Sequence, residues 1–223
     1  AFATQEDIFS AVETLMTTIF GEFSEQAIDS APFVRIPYRE AMLKYGSDKP
    51  DLRNPIIIRD VTEAFAESDF QAFSKTIAKG GVVRAIPVKN IAGRPRSFFD
   101  SMIEYAQSVG SKGLAYITWT EGEVKSPIAK FLSKERIGSI AEACGAEDGD
   151  VVFFVCAAEK EAARIAGDVR IHLGRELDLL EKNVFRFCWI VDFPMFEWNE
   201  ESKAVSFSHN PFSMPQGGLK ALE

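Results

Sequence analysis

Tyr45-Gly46-Ser47-Asp48-Lys49-Pro50-Asp51-Leu52-Arg53-Asn54-Pro55 decides how this chain is read. Proline has no N–H for a helix turn or a sheet ladder, so this polar, twice-prolined stretch ends one apolar pattern and separates it from the next. Just before it, Phe33-Val34-Arg35-Ile36 reads as a strand. Pro37 suits the first position of a helix, where its missing N–H is harmless. Tyr38, Ala41, Met42 and Tyr45 give that helix an apolar face, and Gly46 is placed to end it as a left-handed cap. Beyond the stretch, Ile56-Ile57-Ile58 starts a new pattern. Far along the chain, Trp189-Ile190-Val191-Asp192-Phe193-Pro194-Met195-Phe196-Glu197 is strand-like again, and Asn199-Glu200-Glu201-Ser202 forms a hairpin turn before Ala204–Ser208 pairs back. The two runs flank a region of different character. The layout predicts one unit, 1–55 and 183–223, interrupted by a self-contained unit over 56–182.

Ahead of these runs, Thr4 is placed to cap a helix with Glu6 and Asp7 in its first turn. Ile8, Phe9, Val12, Leu15, Met16, Ile19, Phe20 and Phe23 then keep helical spacing. Within the interruption, Val82–Val88 reads as a strand, and Ser97 as the cap of a helix carrying Phe98, Met102, Tyr105 and Val109. Leu114–Trp119 alternates as a strand, with a shorter one near Val124. Ser133 caps a helix over 134–143. Val151–Cys156 is a continuous apolar run, as a central strand requires. Glu159–Leu180 reads as a helix with Ala162, Ala163, Ile165, Ala166, Val169, Leu173 and Leu177 inward. The fold class expected is α+β: a mostly antiparallel sheet with helices on one face.

Composition narrows the function. A hydrophobic fraction of 46% with 19 Phe can bury a core, which excludes a disordered chain. No apolar run reaches the roughly 20 residues a membrane helix needs. The net charge of −8 argues against DNA or RNA binding by a global basic field. The three cysteines, Cys144, Cys156 and Cys188, lack metal-ligand spacing and read as small buried hydrophobes in a reducing, cytoplasmic setting. No metal site is expected. Both ends read as cut from a longer sequence: the start has no initiator Met and enters directly on a helix cap.

The quoted runs resemble bacterial-type aspartyl-tRNA synthetase, a class II synthetase. YGSDKPDLRNP at 45–55 is similar to the segment that follows the family's motif 2. GSKGLAYI at 110–117, SPIAKFL at 126–132 and DGDVVFF at 148–154 are similar to its inserted GAD domain. WIVDFPMFE at 189–197 resembles the return to the catalytic domain, and SHNPFSMP at 208–215 the histidine-bearing loop over the aspartate pocket. The resemblance implies pieces of an antiparallel catalytic sheet on either side of a GAD-like insertion. It implies a parent enzyme that activates L-aspartate with ATP and Mg2+ and transfers it to tRNA(Asp), with tRNA(Asn) left open, as a homodimer. Motifs 1, 2 and 3 are absent from this sequence, so no catalytic residue, no cofactor and no activity are expected of the chain alone. The alternative is an autonomous GAD-type module that docks RNA or protein without catalysis.

By the same resemblance His209 contacts the bound aspartate, where a protonated imidazole can donate to its carboxylate. Without the resemblance, a lone loop histidine reads as a backbone cap. Asn210 stands where some relatives carry a second histidine. Ser47, Asp48, Lys49, Asp51 and Arg53 have two readings. They contact the tRNA acceptor end or the active-site rim, or they build a loop in which Asp48 and Asp51 cap backbone N–H groups and Arg53 ties the units by an ion pair; the second is preferred. Lys89, Arg94 and Arg96 beside Phe98 and Phe99 could face RNA, but a solvated loop is preferred. Asp192 and Glu197 read as strand-edge charges, and His172 as incidental.

Overall fold

The computed structural model describes residues 3–199 and 202–208. The chain opens with α1 (Gln5–Phe23), β1 (Ala27–Ile28), β2 (Val34–Pro37) and α2 (Tyr38–Tyr45). After the proline-rich loop come β3 (Arg59–Asp60), α3 (Thr62–Phe65), α4 (Gln71–Ile77), β4 (Val82–Val88), α5 (Arg96–Ser108), β5 (Ala115–Thr120) and β6 (Glu123–Lys125). Then follow α6 (Lys134–Cys144), β7 (Val151–Ala157) and α7 (Glu159–Glu176), and last β8 (Val184–Phe185), β9 (Cys188–Val191), β10 (Phe196–Asn199) and β11 (Ala204–Phe207).

The middle elements form an antiparallel five-stranded sheet in the order β3-β4-β7-β5-β6. The continuous apolar run at 151–157 is its centre, paired with β4 on one side and β5 on the other. Helices cover both faces, not one. Ile86, Val88, Val151, Phe153 and Val155 pack with Met102 of α5 and with Ile165, Val169 and Leu173 of α7. The alternate residues, Val83, Ala85, Ile117, Val152 and Phe154, pack with Phe65 of α3 and Ile140 of α6. Successive strand side chains point to opposite faces, so apolar residues at every position of β7 require cover on both.

Several helix ends differ from the sequence reading by a residue or more. Pro37 is the N-cap of α2, not its first helical residue, while Gly46 is the left-handed C-cap with φ 69°. α5 starts at Arg96 on Pro95, so Ser97 caps nothing. The fixed φ of proline and its missing N–H suit a helix entry. Ser133 does cap α6, its Oγ accepting from the Arg136 N–H. α7 stops at Glu176: Asp178 turns left-handed (φ 51°) and the Leu179 N–H donates back to the Gly174 carbonyl.

The first and last parts of the chain lie side by side. β1 pairs with β8 and β2 with β9, both in parallel, with Val34 opposite Cys188 and Pro37 opposite Val191. Parallel neighbours need a long crossover, and here the whole five-stranded unit is that crossover. β10 and β11 form an antiparallel hairpin. α1 enters through a capping box in which Thr4 and Asp7 exchange hydrogen bonds. It lies on the paired strands through Phe9 against Trp189 (4.5 Å) and Phe20 against Phe185 (4.6 Å). Trp189 Nε1 donates to Glu13 (2.8 Å), and Arg35 forks onto both carboxylate oxygens of Glu6 at 2.7 Å.

Asp150 fastens the start of β7. Its carboxylate accepts from the Asn90 N–H (3.0 Å), the Glu147 N–H (2.8 Å) and Lys89 Nζ (2.8 Å), with the side chain 4% exposed. Burial pushes this carboxyl up, but the hydrogen bonds from Lys89, Glu147 and Asn90 together outweigh it and hold it below its usual range. A depressed acid contributes stability above its unfolded pKa, near 4, and loses it as pH falls through the folded value. Asp150→Asn should therefore lower unfolding free energy at pH 7 by about 1.5–3 kcal/mol. The gap to the parent chain should narrow as pH drops below about 4. Urea denaturation at pH 7 and pH 3 checks both.

Candidate functional site

The loop over 46–55 is shaped by short-range bonds first. Ser47 Oγ accepts from the Lys49 N–H at 3.0 Å. The Asp51 carboxylate accepts from the Arg53 N–H (3.0 Å), Nε (3.0 Å) and Nη2 (2.8 Å). The Arg53 guanidinium beside it holds Asp51 below the usual carboxylate range, against the opposing effect of burial. Asp51 thus caps backbone as the structural reading expects. Arg53 does not tie the units by an ion pair, because its guanidinium is taken by Asp51; its carbonyl instead accepts from the Glu181 N–H (3.0 Å). Asp48 and Lys49, at the apex, have no side-chain hydrogen bond or ion pair among the described residues, and Lys49 is exposed.

The loop is then seated on α7. Gly46 lies against the α7 backbone at Ala163 and Gly167, and Asn54 lies against Gly174. Between these two contacts Arg170 reaches out of the helix, 1% exposed. Its Nε donates to the Ile56 carbonyl (2.6 Å), and its Nη2 to the carbonyls of Asp51 (3.0 Å) and Asn54 (2.9 Å). The Tyr45 ring lies 5.0 Å from the guanidinium carbon. Asn54 completes the ring of bonds: Nδ2 donates to the Arg170 carbonyl (2.9 Å) and Oδ1 accepts from the Ile56 N–H (3.1 Å). Burial lowers Arg170 to about 10, so it keeps its charge at neutral pH. Sequence reasoning did not single out Gly167, Arg170 or Gly174. The available signal was the stripe Ala163, Gly167, Arg170, Gly174, spaced as one helix face with three small residues, as a close backbone approach requires.

The other candidates fall elsewhere. Lys89 is bound to Asp150 and to the Gly145 carbonyl, Arg96 faces Asp100 at 3.7 Å, and Arg94 lies over Phe98 at 5.7 Å. The basic cluster is thus divided among separate partners. Glu197 pairs with Lys160 of α7 at 3.2 Å, and both line a cleft of about 860 Å3 beside α2. His172 stacks on Tyr105 at 3.8 Å. Cys144 is pushed up by burial to about 12, and burial raises Cys156 and Cys188 as well, which suits packing and not nucleophilic chemistry. His209 and Asn210 lie outside the described residues.

Residues 73–166 match the family model described as the GAD domain. Over 224 aligned residues, covering 100% of the chain, it is 58% identical to the aspartate–tRNA(Asp/Asn) ligase of Rickettsia felis and 58% identical to that of Rickettsia akari. The chain matches aspartate–tRNA ligases from end to end. It spans 37% of the length of these curated relatives. Among solved structures, a hypothetical protein from Pyrococcus horikoshii aligns at 20% identity and a TM-score of 0.33, over 49% of this chain and 68% of that one. The GAD match runs from α4 into α7 and stops just before Arg170, so the seat of the loop lies beside the matched range.

Proposed function

We propose that this chain is the middle of an aspartate–tRNA ligase, with residues 1–55 and 183–223 belonging to the catalytic domain and 56–182 forming the GAD insertion. The observation that carries this is the end-to-end match to named ligases, in register with a fold whose early and late strands pair around the middle unit. The parent enzyme joins L-aspartate to ATP, releasing pyrophosphate, and passes the aspartyl group from the adenylate to the 3′ end of tRNA. Such chemistry asks the protein to position reactants and stabilise charge, with no covalent enzyme intermediate. From the ligase relatives, ATP and Mg2+ are assigned to the whole enzyme, in the cytoplasm and as a homodimer. The relatives' names carry both tRNA(Asp) and tRNA(Asn), and we assign both to the parent.

His209 is the proposed contact to the aspartate carboxylate. A hydrogen bond to a charged group contributes about 1.5–3 kcal/mol, so His209→Ala in the full-length ligase should raise the KM for aspartate roughly 10–100-fold in ATP–pyrophosphate exchange. An unchanged KM removes His209 from the pocket. Ser47, Asp48, Lys49 and Arg53 are proposed to face the acceptor end of the tRNA or the rim of the active site. The free charges of Asp48 and Lys49 support this, since neither is consumed within the loop. The chain over 1–223 by itself should give no pyrophosphate exchange, and aminoacylation of both tRNAs by the full-length enzyme tests the substrate range.

A further inference from the structure

We propose that Arg170 is a positioning residue: the long helix of the middle unit holds the 47–53 loop in the shape that presents Asp48 and Lys49. The inference rests on the reading of that loop as a tRNA or active-site contact. The carbonyls of Asp51, Asn54 and Ile56 all converge on one planar guanidinium, and no carboxylate is among its hydrogen-bond partners. A buried guanidinium whose hydrogen bonds go only to main-chain oxygens fixes backbone geometry, because each carbonyl must lie in the plane and at the angle the fork dictates. Asn54 locks the same turn from the other side, through Arg170's own carbonyl and the Ile56 N–H. On either side of Arg170, Gly46 brings one end of the loop against the α7 backbone at Ala163 and Gly167, and Gly174 leaves room for the Asn54 side chain at the other end. The loop is therefore gripped at three points along one helix face, and its unpaired charges lie between the first two.

A lysine keeps the charge but cannot reproduce the planar fork, so Arg170→Lys separates geometry from charge. In the 223-residue chain, hydrogen exchange of the amides over 47–56 should speed up about tenfold or more in this variant, while the amides of Ile165 to Val169 keep their protection. In the full-length ligase, Lys49→Ala and Asp48→Asn identify which Michaelis constant, for tRNA or for aspartate, the loop controls. Arg170→Lys should raise that same constant several-fold and leave kcat within about twofold. If the loop variants act and Arg170→Lys does not, or if its loop exchange is unchanged, positioning by Arg170 is overturned while the loop reading stands. If neither loop variant moves either constant, the loop reading fails and this inference with it. Asn54→Ser carries the same comparison should Arg170→Lys not fold.

Discussion

Gly46→Ala should destabilise the chain by about 2–4 kcal/mol, far more than an alanine at a glycine usually does. Two effects add. The residue caps α2 with φ 69°, a conformation that costs an L side chain roughly 1 kcal/mol or more. Its new methyl would also fall 2.6 Å from the Gly167 Cα and closer still to the Ala163 carbonyl oxygen. Both are backbone atoms of α7 and cannot rotate away, so α2 and its loop must lift off the helix. Gly80→Ala separates the two effects: its φ is +85°, but nothing lies within 4 Å of the added carbon. That variant should show the conformational cost alone, about 1 kcal/mol. Thermal or urea unfolding of the pair measures the difference. Equal losses would mean that the Gly46–α7 contact contributes nothing.

Why Gly46 was legible and its partner was not follows from what a sequence pattern contains. A glycine after an apolar helical face announces a left-handed cap, and it is one. The same residue's second role, a close approach to a helix more than a hundred positions later, leaves no mark in its own neighbourhood. Arg170 is harder still, because a charged residue on a long helix reads as solvated unless the small residues at 163, 167 and 174 are seen as a second buried face. The strong signals were the apolar run of β7, the spacing of α1 and the cap at Ser133. α3 and α4 were not assigned, since a helix of four or seven residues is shorter than the window in which a 3.6-residue period can be counted. β1 and β8, two residues each, exist only as a pairing. The expectation of helices on one face failed for a related reason. Once α3 and α4 go unseen, α6 is the one helix left to cover the side of Val83 and Ala85, and its place there follows from the sheet order, not from its own sequence.

That correction has its own consequence at β7. Phe153→Ala and Phe154→Ala should each cost about 3–5 kcal/mol, the range for emptying a packed aromatic site. Both side chains are fully buried, but under different helices. Phe153 lies with Phe99 (6.2 Å) and Tyr116 (6.0 Å) beneath α5 and α7. Phe154 meets the edge of Phe65 (5.1 Å) beneath α3 and α6. A sheet covered on one face alone would leave one of these neighbours facing water, where its truncation would cost under about 0.5 kcal/mol. Two losses of similar size, read as shifts in the urea midpoint with the slope preserved, are what two cores sharing one central strand require. A large loss at one position and a negligible loss at the other would return the sheet to a single covered face.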